Sequence, residues 1–170
     1  MNLNKNIVLI GMMGSGKSTI GFLLSKNINS SFLDVDKFIE KDTNLKIHDI
    51  FQKKGENYFR DIEEKITLKL LKNKGKVISL GGGGFLNKNI RKEILKNHIS
   101  FWLNWKSSTL INRILKSKKR PIAFNSNEND LKKLISERAS IYAEAKFKIN
   151  CETLTKNMIV KNITKLYEKN

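Results

Sequence analysis

The sequence predicts an α/β fold in which a parallel sheet is covered by helices on both faces. Short, nearly all-apolar segments alternate with longer segments whose apolar residues recur at helical spacing, as buried parallel strands and their crossover helices do. The chain shows no internal repeat and no low-complexity linker. Ligands of such sheets bind beyond the carboxyl ends of the strands, and the glycine-rich segments of this chain fall there.

The alternation resolves into five strands and eight helices. Strands are predicted at residues 6–10, 31–34, 77–80, 99–103 and 147–149. Helices are predicted at about 17–28, 36–43, 47–53, 56–72, 88–97, 107–116, 129–145 and 155–168. A length of 170 residues suits one domain with a substantial core, so residues 1–170 are expected to form a single domain.

The first strand is followed by a phosphate-binding motif, G-x-x-x-x-G-K-S, at residues 11–18. Glycines there let backbone N–H groups turn inward around phosphate oxygens, and the next helix adds the positive end of its dipole. The alternative is a glycine-rich turn that binds no ligand. The complete motif between a strand and a helix disfavours this alternative. The motif predicts binding of ATP or a related triphosphate with Mg²⁺ through Gly14, Ser15, Gly16, Lys17, Ser18 and Thr19.

An acidic pair follows the second strand. If the chain stays extended, Asp34 and Asp36 point the same way, towards the phosphates. Asp34 would then hold Mg²⁺ together with Ser18, and Asp36 would accept a hydrogen bond from a substrate hydroxyl. The alternative is that Asp36 only caps the following helix.

The formal net charge of +17 invites a nucleic-acid interpretation, but its distribution argues against one. Lysines are spread over the whole chain, without a basic tail or an aromatic-interleaved patch. We therefore expect no nucleic-acid partner. Five of the 33 basic residues are arginines, which suggests positions that need a planar, bidentate cation: Arg60, Arg91, Arg113, Arg120 and Arg138.

Other features restrict location and cofactors. No apolar run is long enough to span a membrane, no leader precedes the first strand, and a lone cysteine, Cys151, fits a reducing compartment, so a cytoplasmic protein is expected. His48 and His98 show no metal-ligand spacing.

An arginine and a glutamate lie three residues apart on the predicted helix 56–72. Glu63 can hold the guanidinium of Arg60 in place, although a surface ion pair would give the same pattern. Together with the phosphate loop and the acidic pair, these residues begin an ordered set. The set continues with the glycine run at 81–84, Arg120-Pro121 and Arg138-Ala139-x-x-Tyr142.

This ordered set resembles the shikimate kinase family over residues 6 to about 150. The resemblance implies a three-layer αβα P-loop fold with a five-stranded parallel sheet in the order 2-3-1-4-5. It also implies a substrate-binding region at about 34–63 and a lid at about 114–126, beside the phosphate loop at 11–19. The implied activity is ATP-dependent phosphorylation of shikimate, with ATP and Mg²⁺ required and the chain acting as a monomer.

The resemblance also assigns residue roles. Asp36 would hold the reacting hydroxyl, and Arg60 and Arg138 would bind the substrate carboxylate. Gly82 would donate its backbone N–H to the substrate, and Gly81 and Gly83 would let the chain approach closely. Arg120 on the lid would contact the ATP phosphates and act in catalysis with Lys17 and Asp36. Arg113 would lie against the adenine. Arg91 receives no role.

Other functions fit the sequence less well than this one. A gluconate or nucleoside monophosphate kinase would share the architecture, but two arginines with Asp36 suit a small hydroxylated acid better than a base. A nucleotide-gated binding module would need a guanine signature, and Asn87-Lys88-Asn89 lacks its aspartate. A nucleic-acid motor would need a second lobe.

Overall fold

The structure is a computed structural model that describes residues 5–116 and 127–169. Five parallel strands form one sheet in the order β2-β3-β1-β4-β5, which confirms the predicted strand number, direction and order. The strands are β1 (Ile7–Ile10), β2 (Phe32–Asp34), β3 (Val77–Ser79), β4 (Ile99–Asn104) and β5 (Phe147–Asn150).

Helices connect the strands and cover the sheet. They are α1 (Lys17–Asn27), α2 (Val35–Thr43), α3 (Ile47–Leu71), α4 (Lys88–Asn97), α5 (Ser107–Leu115), α6 (Glu128–Tyr142) and α7 (Lys156–Glu168), with a 3₁₀ helix η1 (Gly84–Leu86) between β3 and α4. The predicted helices 47–53 and 56–72 form one element with a break. Gly55 lies at φ 82°, ψ 171° inside α3, a backbone conformation that favours glycine.

The central strand shows why both faces of the sheet are buried. Side chains alternate across a strand, so Val8 and Ile10 enter one hydrophobic cluster while Ile7 and Leu9 enter the other. All four are at most 1% exposed. The continuous apolar run IVLI therefore reflects a strand with helices on each side, as the sequence predicted.

The strand register gathers the carboxyl ends of three strands at one edge. Leu9 of β1 and Asp34 of β2 both pair with Ser79 of β3. The phosphate loop leaves β1, the acidic pair lies at the end of β2, and the glycine run leaves β3 between them. The sheet order thus brings these three segments together. Among the described helices, none combines the length and apolarity needed to cross a membrane.

Candidate active site

The phosphate loop adopts the backbone that its glycines permit. Gly11, Gly14 and Gly16 have φ values of 144°, 83° and 88°, a region that residues with a Cβ rarely occupy. Helix α1 begins at Lys17, directly after Gly16. The backbone N–H groups of its first turn therefore face the loop, where an anion would be stabilised.

Lys17 folds back over this loop. Its Nζ donates to the carbonyl oxygens of Gly11 and Met12 at 2.8 and 3.0 Å, and the side chain is buried. Ser18 and Thr19, next along α1, are exposed. The ammonium group of Lys17 is thus held at the phosphate loop, and the hydroxyl groups of the next two residues lie in the first turn of α1.

The acidic pair is arranged differently from both sequence expectations. Asp34 ends β2 with extended φ/ψ and is the N-cap residue of α2, while Asp36 lies in the first helical turn. The extended arrangement through Asp36 was wrong because the chain turns helical at Val35. The capping role of Asp36 was also wrong, and the Asp34 side chain makes no capping hydrogen bond either.

Burial and neighbouring charges make Asp36 a weak acid. Desolvation, together with the nearby Asp34 carboxylate, raises its pKa from 3.8 to about 6, although the ammonium of Lys17 opposes both effects. A carboxyl group with such a pKa can hold or release a proton near neutral pH.

Arg60 is held by two carboxylates of its own helix. Its Nη1 lies 2.7 Å from Glu63 and its Nη2 lies 2.9 Å from Glu56. Glu63 is only 2% exposed, and burial raises its pKa against the opposing effect of Arg60. The second Glu63 oxygen, Oε1, is buried without a hydrogen-bond partner among the described residues. The pair is therefore more than a surface ion pair, because one carboxylate faces the interior.

The glycine run leaves room for these charged groups. A Cβ on Gly81 would lie 2.4 Å from Glu63 Oε1 and 2.9 Å from Asp36 Oδ1. A Cβ on Gly83 would lie 2.5 Å from Arg60 Nη1. The backbone at Gly81 therefore lies directly against the carboxyl groups of Glu63 and Asp36, and the backbone at Gly83 lies against the Arg60 guanidinium. Only glycine allows the backbone to come so close.

Arg138 reaches the same segment from α6. Its Nη1 donates to the Gly82 carbonyl oxygen at 3.4 Å and lies 3.8 Å from the sulfur of Met12 in the phosphate loop. The side chain is 7% exposed, and its Nε has no hydrogen-bond partner among the described residues. A buried cation with an unused donor is suited to an anionic ligand.

The phosphate loop and the glycine run are in contact. A Cβ on Gly82 would lie 3.2 Å from the backbone nitrogen of Met13. Asp36, Arg60 and Arg138 therefore surround Gly81–Gly83 on the side of the sheet edge where the phosphate loop lies. Phe51 and Phe59 add an apolar wall beside Arg60, with ring centroids 4.6 Å apart.

The structure places Arg113 at the phosphate loop too, and leaves Arg120 undescribed. Arg113 Nη1 donates to the Gly14 carbonyl oxygen at 3.3 Å, and its guanidinium lies over the ring of Trp105. Of the predicted lid at 114–126, residues 114 and 115 end α5 and Lys116 is its C-cap, whereas residues 117–126, including Arg120, lie outside the described residues.

Two residues without a sequence-derived role support the site. The Tyr142 hydroxyl donates to the Gly82 carbonyl oxygen that Arg138 also contacts. Arg91 donates to the carbonyl oxygens of Phe85 and Leu86 and pairs with Glu144 beyond α6. The scarcity of arginine marked Arg91 as special, but its ion-pair partner Glu144 is distant in sequence. Tyr142 was visible only as the end of a motif.

The fold and the site together define a P-loop phosphotransferase. A strand, glycine loop, lysine and helix form the phosphate-binding part, and two arginines and an acid form a second binding part beside it. Comparison with known proteins refines this class. A family model described as shikimate kinase matches residues 13–168, and the chain belongs to this family.

Individual relatives agree over nearly the whole length. Shikimate kinase from Sulfurihydrogenibium sp. is 40% identical over 159 residues, which cover 94% of this chain and 95% of that protein. Among solved structures, shikimate kinase from Acinetobacter baumannii in complex with shikimate has a TM-score of 0.92 at 30% identity, covering 98% of this chain and 94% of that one. Shikimate kinase from Aquifex aeolicus has a TM-score of 0.83 at 34% identity, covering 97% of each.

Proposed function

We propose that the protein transfers the γ-phosphoryl group of ATP to the 3-hydroxyl of shikimate, giving shikimate 3-phosphate and ADP for aromatic amino acid synthesis through chorismate. The observation that carries the proposal is the gathering of Asp36, Arg60 and Arg138 around Gly81–Gly83, in contact with the phosphate loop. Family membership supports the same reaction.

The two guanidinium groups bind the substrate carboxylate. Arg60 and Arg138 approach the glycine run from α3 and α6, and a carboxylate between them receives donors from both. Glu63 keeps Arg60 in place, while the contact to Gly82 keeps Arg138 in place. The backbone N–H of Gly82 supplies a further donor. This clamp fixes the ring so that one hydroxyl faces Asp36.

Asp36 orients the reacting hydroxyl and accepts its proton. Its raised pKa of about 6 leaves it largely ionised at neutral pH, yet basic enough to take up a proton as the oxygen attacks. The nearby Lys17 ammonium stabilises the ionised form. The hydroxyl oxygen attacks the γ-phosphorus, its proton passes to Asp36, and ADP leaves.

Charge on the transferred phosphoryl group is stabilised by donors that the fold already positions. The N–H groups of the phosphate loop and the ammonium of Lys17 lie at one end of the cleft. Arg120 is proposed to add a second cation from the lid. Because the transition state is loose, alignment and cationic stabilisation supply most of the rate enhancement.

Two residues are suited to hold Mg²⁺ beside the phosphates. Ser18 is exposed at the start of α1, and Asp34 is a buried carboxylate that makes no capping bond. Within residues 5–116 and 127–169, no cluster of three or more His, Cys, Asp or Glu side chains is present. Phosphate oxygens and water would complete the coordination, as is usual for Mg²⁺. When bound, Mg²⁺ neutralises phosphate charge and orients the γ-phosphate.

The experiment that tests the reaction is a comparison of acceptors. ADP release should appear with shikimate and stay at background with gluconate, nucleoside monophosphates or single-stranded DNA. Formation of shikimate 3-phosphate is checked by phosphorus NMR. Faster ADP release with gluconate or a nucleoside monophosphate would instead support one of the alternative kinases.

Assembly and location belong to the same proposal. We infer a monomeric, cytoplasmic enzyme with a single functional domain, because one chain supplies the phosphate loop, the acid and both arginines, and its lone cysteine fits a reducing compartment. Light scattering coupled to gel filtration should give the mass of one chain, 19.6 kDa. A dimer mass would contradict the monomer without affecting the assignment of the reaction.

A further inference from the structure

A second groove opens on the other side of the phosphate loop. Its volume is about 450 Å³. The phosphate loop and α1 form its floor, Trp105 and Arg113 form one side, and the start of α7 forms the other. The lining from these three parts includes Gly16, Thr19, Trp105, Arg113, Leu154 and Thr155.

Trp105 ties one side of the groove to the phosphate loop. Its indole Nε1 donates to the carbonyl oxygen of Ser15 at 2.9 Å, across 90 residues of sequence. This bond orients the ring, so that one face of the indole is turned towards α5. Trp105 is only partly buried, because its ring also borders the groove.

Arg113 lies flat on that indole face. The guanidinium carbon is 3.8 Å from the ring centroid, and Nη1 donates to the Gly14 carbonyl oxygen at 3.3 Å. The side chain is otherwise exposed. One face of the planar cation is therefore covered by Trp105, and the opposite face is available to a flat ligand in the groove.

We propose that Trp105 is a positioning residue for nucleobase binding: it presents the Arg113 guanidinium as a fixed surface on which the base of the triphosphate stacks. The inference rests on the proposed function, which places the phosphates in the adjoining loop. The base would then lie between Arg113 and the side of the groove formed by Leu154 and Thr155. The order of layers is indole, guanidinium, base.

The physical gain is preorganisation. A free arginine side chain must lose rotamer freedom when it stacks on a ligand, whereas stacking on Trp105 and bonding to Gly14 restrict it beforehand. Planar stacking is a property of arginine that lysine lacks. Removal of the Trp105 ring should therefore weaken binding of the base without weakening binding of the phosphates.

The test compares ATP with a ligand that has phosphates but no base. Dissociation constants for ATP and for inorganic tripolyphosphate, both with Mg²⁺ and without shikimate, are measured by titration calorimetry. The readout is the ratio of the ATP constant to the tripolyphosphate constant. This ratio cancels any general damage to the phosphate loop, which a purely structural role of Trp105 would cause.

Four variants separate the contributions. Trp105→Leu removes the ring and should raise the ratio roughly three- to fivefold. Trp105→Phe keeps a ring but loses the bond to Ser15, and should leave the ratio within about twofold of wild type. Arg113→Ala should raise the ratio as much as Trp105→Leu does. The double variant that combines Trp105→Leu with Arg113→Ala should raise it no further.

A matched control is Lys148→Ala, which removes a cation 4.7 Å from the ring of Trp102, outside the groove, and should leave the ratio unchanged. Circular dichroism establishes that each variant is folded. If Trp105→Leu does not fold, Arg113→Lys, a change at an exposed position, tests the stack of guanidinium and base instead. It should also raise the ratio.

An unchanged ratio in Trp105→Leu, or in Arg113→Lys if that variant replaces it, would overturn the inference. So would a double variant whose effect is the product of the single ones. Failure of the proposed reaction is visible separately, as wild-type protein that binds ATP but does not phosphorylate shikimate.

Discussion

Asp36 shows how one residue serves reactivity at the expense of stability. Its carboxyl group is desolvated next to Asp34, so its pKa of about 6 exceeds the ordinary value of 3.8. The folded state then binds this proton more tightly than the unfolded state, and stability falls as pH rises from about 4 to about 6. This loss of folding stability, which comes from ionising the buried carboxyl group, is fully present at neutral pH.

Replacing this charge should therefore stabilise the ligand-free protein. Asp36→Asn is expected to raise the free energy of unfolding at pH 7 by about 1–3 kcal/mol, with little difference from wild type at pH 4, while phosphorylation of shikimate is lost. Urea unfolding at both pH values measures this. A variant that is less stable than wild type at pH 7 would show that the ionised Asp36 is not strained by burial.

The guanidinium of Arg60 acts through its fork geometry. Arg60→Lys should raise KM for shikimate by roughly tenfold or more and change KM for ATP little, because lysine cannot form two parallel bonds to a carboxylate. Steady-state kinetics with each substrate varied provides the measurement. Lys65→Arg, on the exposed side of the same helix, is the control and should match wild type. Equal increases in both KM values would contradict the carboxylate clamp.

At the scale of elements, the glycine run offers a way to test whether its close contact with Arg60 controls substrate binding. Gly83 has an ordinary φ of −104°, so alanine suits its backbone, but the new Cβ would meet the Arg60 guanidinium. Gly83→Ala should thus change the free energy of unfolding by less than about 1 kcal/mol, since the arginine tip can move, while KM for shikimate rises roughly tenfold.

The matched control for this change is the next glycine. A Cβ on Gly84 would lie 3.4 Å from Glu63 and 3.6 Å from Leu80, contacts that small shifts can accommodate. Gly84→Ala should bind shikimate nearly as well as wild type. If both alanine variants bind alike, the approach to Arg60 does not control the site.

Arg91 joins two elements that carry the site. It bonds the carbonyl oxygens that end η1 at 2.9 and 3.0 Å, and its Nε lies 3.1 Å from Glu144, just beyond α6. Arg91→Lys should lower the free energy of unfolding by about 1–2 kcal/mol, because a point-like ammonium cannot reach all three acceptors. Guanidinium chloride unfolding measures the loss.

Glu144→Gln separates the two parts of this contact. Glu144 is 46% exposed in its side chain, so its ion pair contributes little, and the variant should lose less than about 0.5 kcal/mol. A larger loss in Glu144→Gln than in Arg91→Lys would mean that the ion pair, rather than the carbonyl contacts, holds the two elements together.

Sequence patterns predicted these elements closely where local rules decide them. Apolar runs located all five strands, and the gap between the predicted helices 47–53 and 56–72 coincides with the break in α3. The turn from β2 into α2 was misjudged, because the period-two rule does not say where a short strand ends. Arg91 and Tyr142 could not be assigned, since only tertiary packing brings Arg91 to Glu144 and Tyr142 to Gly82.

At the scale of the whole molecule, the net charge of +17 still requires a test. The absence of a nucleic-acid partner stays a prediction, based on the even spread of lysine. Fluorescence anisotropy with single-stranded and duplex DNA at 0.15 M salt should show only weak binding that disappears as salt increases. Tight binding that persists at high salt would indicate a function beyond phosphorylation.

The architecture explains why these residues work together although they come from distant parts of the chain. Strand β3 lies between β2 and β1, so the glycine run that leaves it must pass between the acidic pair and the phosphate loop. Helices α3 and α6 then deliver one arginine each to that run. A phosphate site and an anion clamp thereby share one cleft.

The most direct test of this shared cleft is a crystal structure with ADP, Mg²⁺ and shikimate bound. We predict the shikimate carboxylate within about 3 Å of both the Arg60 and the Arg138 guanidinium groups, with a ring hydroxyl hydrogen-bonded to Asp36 and directed at the β-phosphate of ADP. Shikimate bound elsewhere, or bound with its carboxylate towards Asp36, would contradict the account.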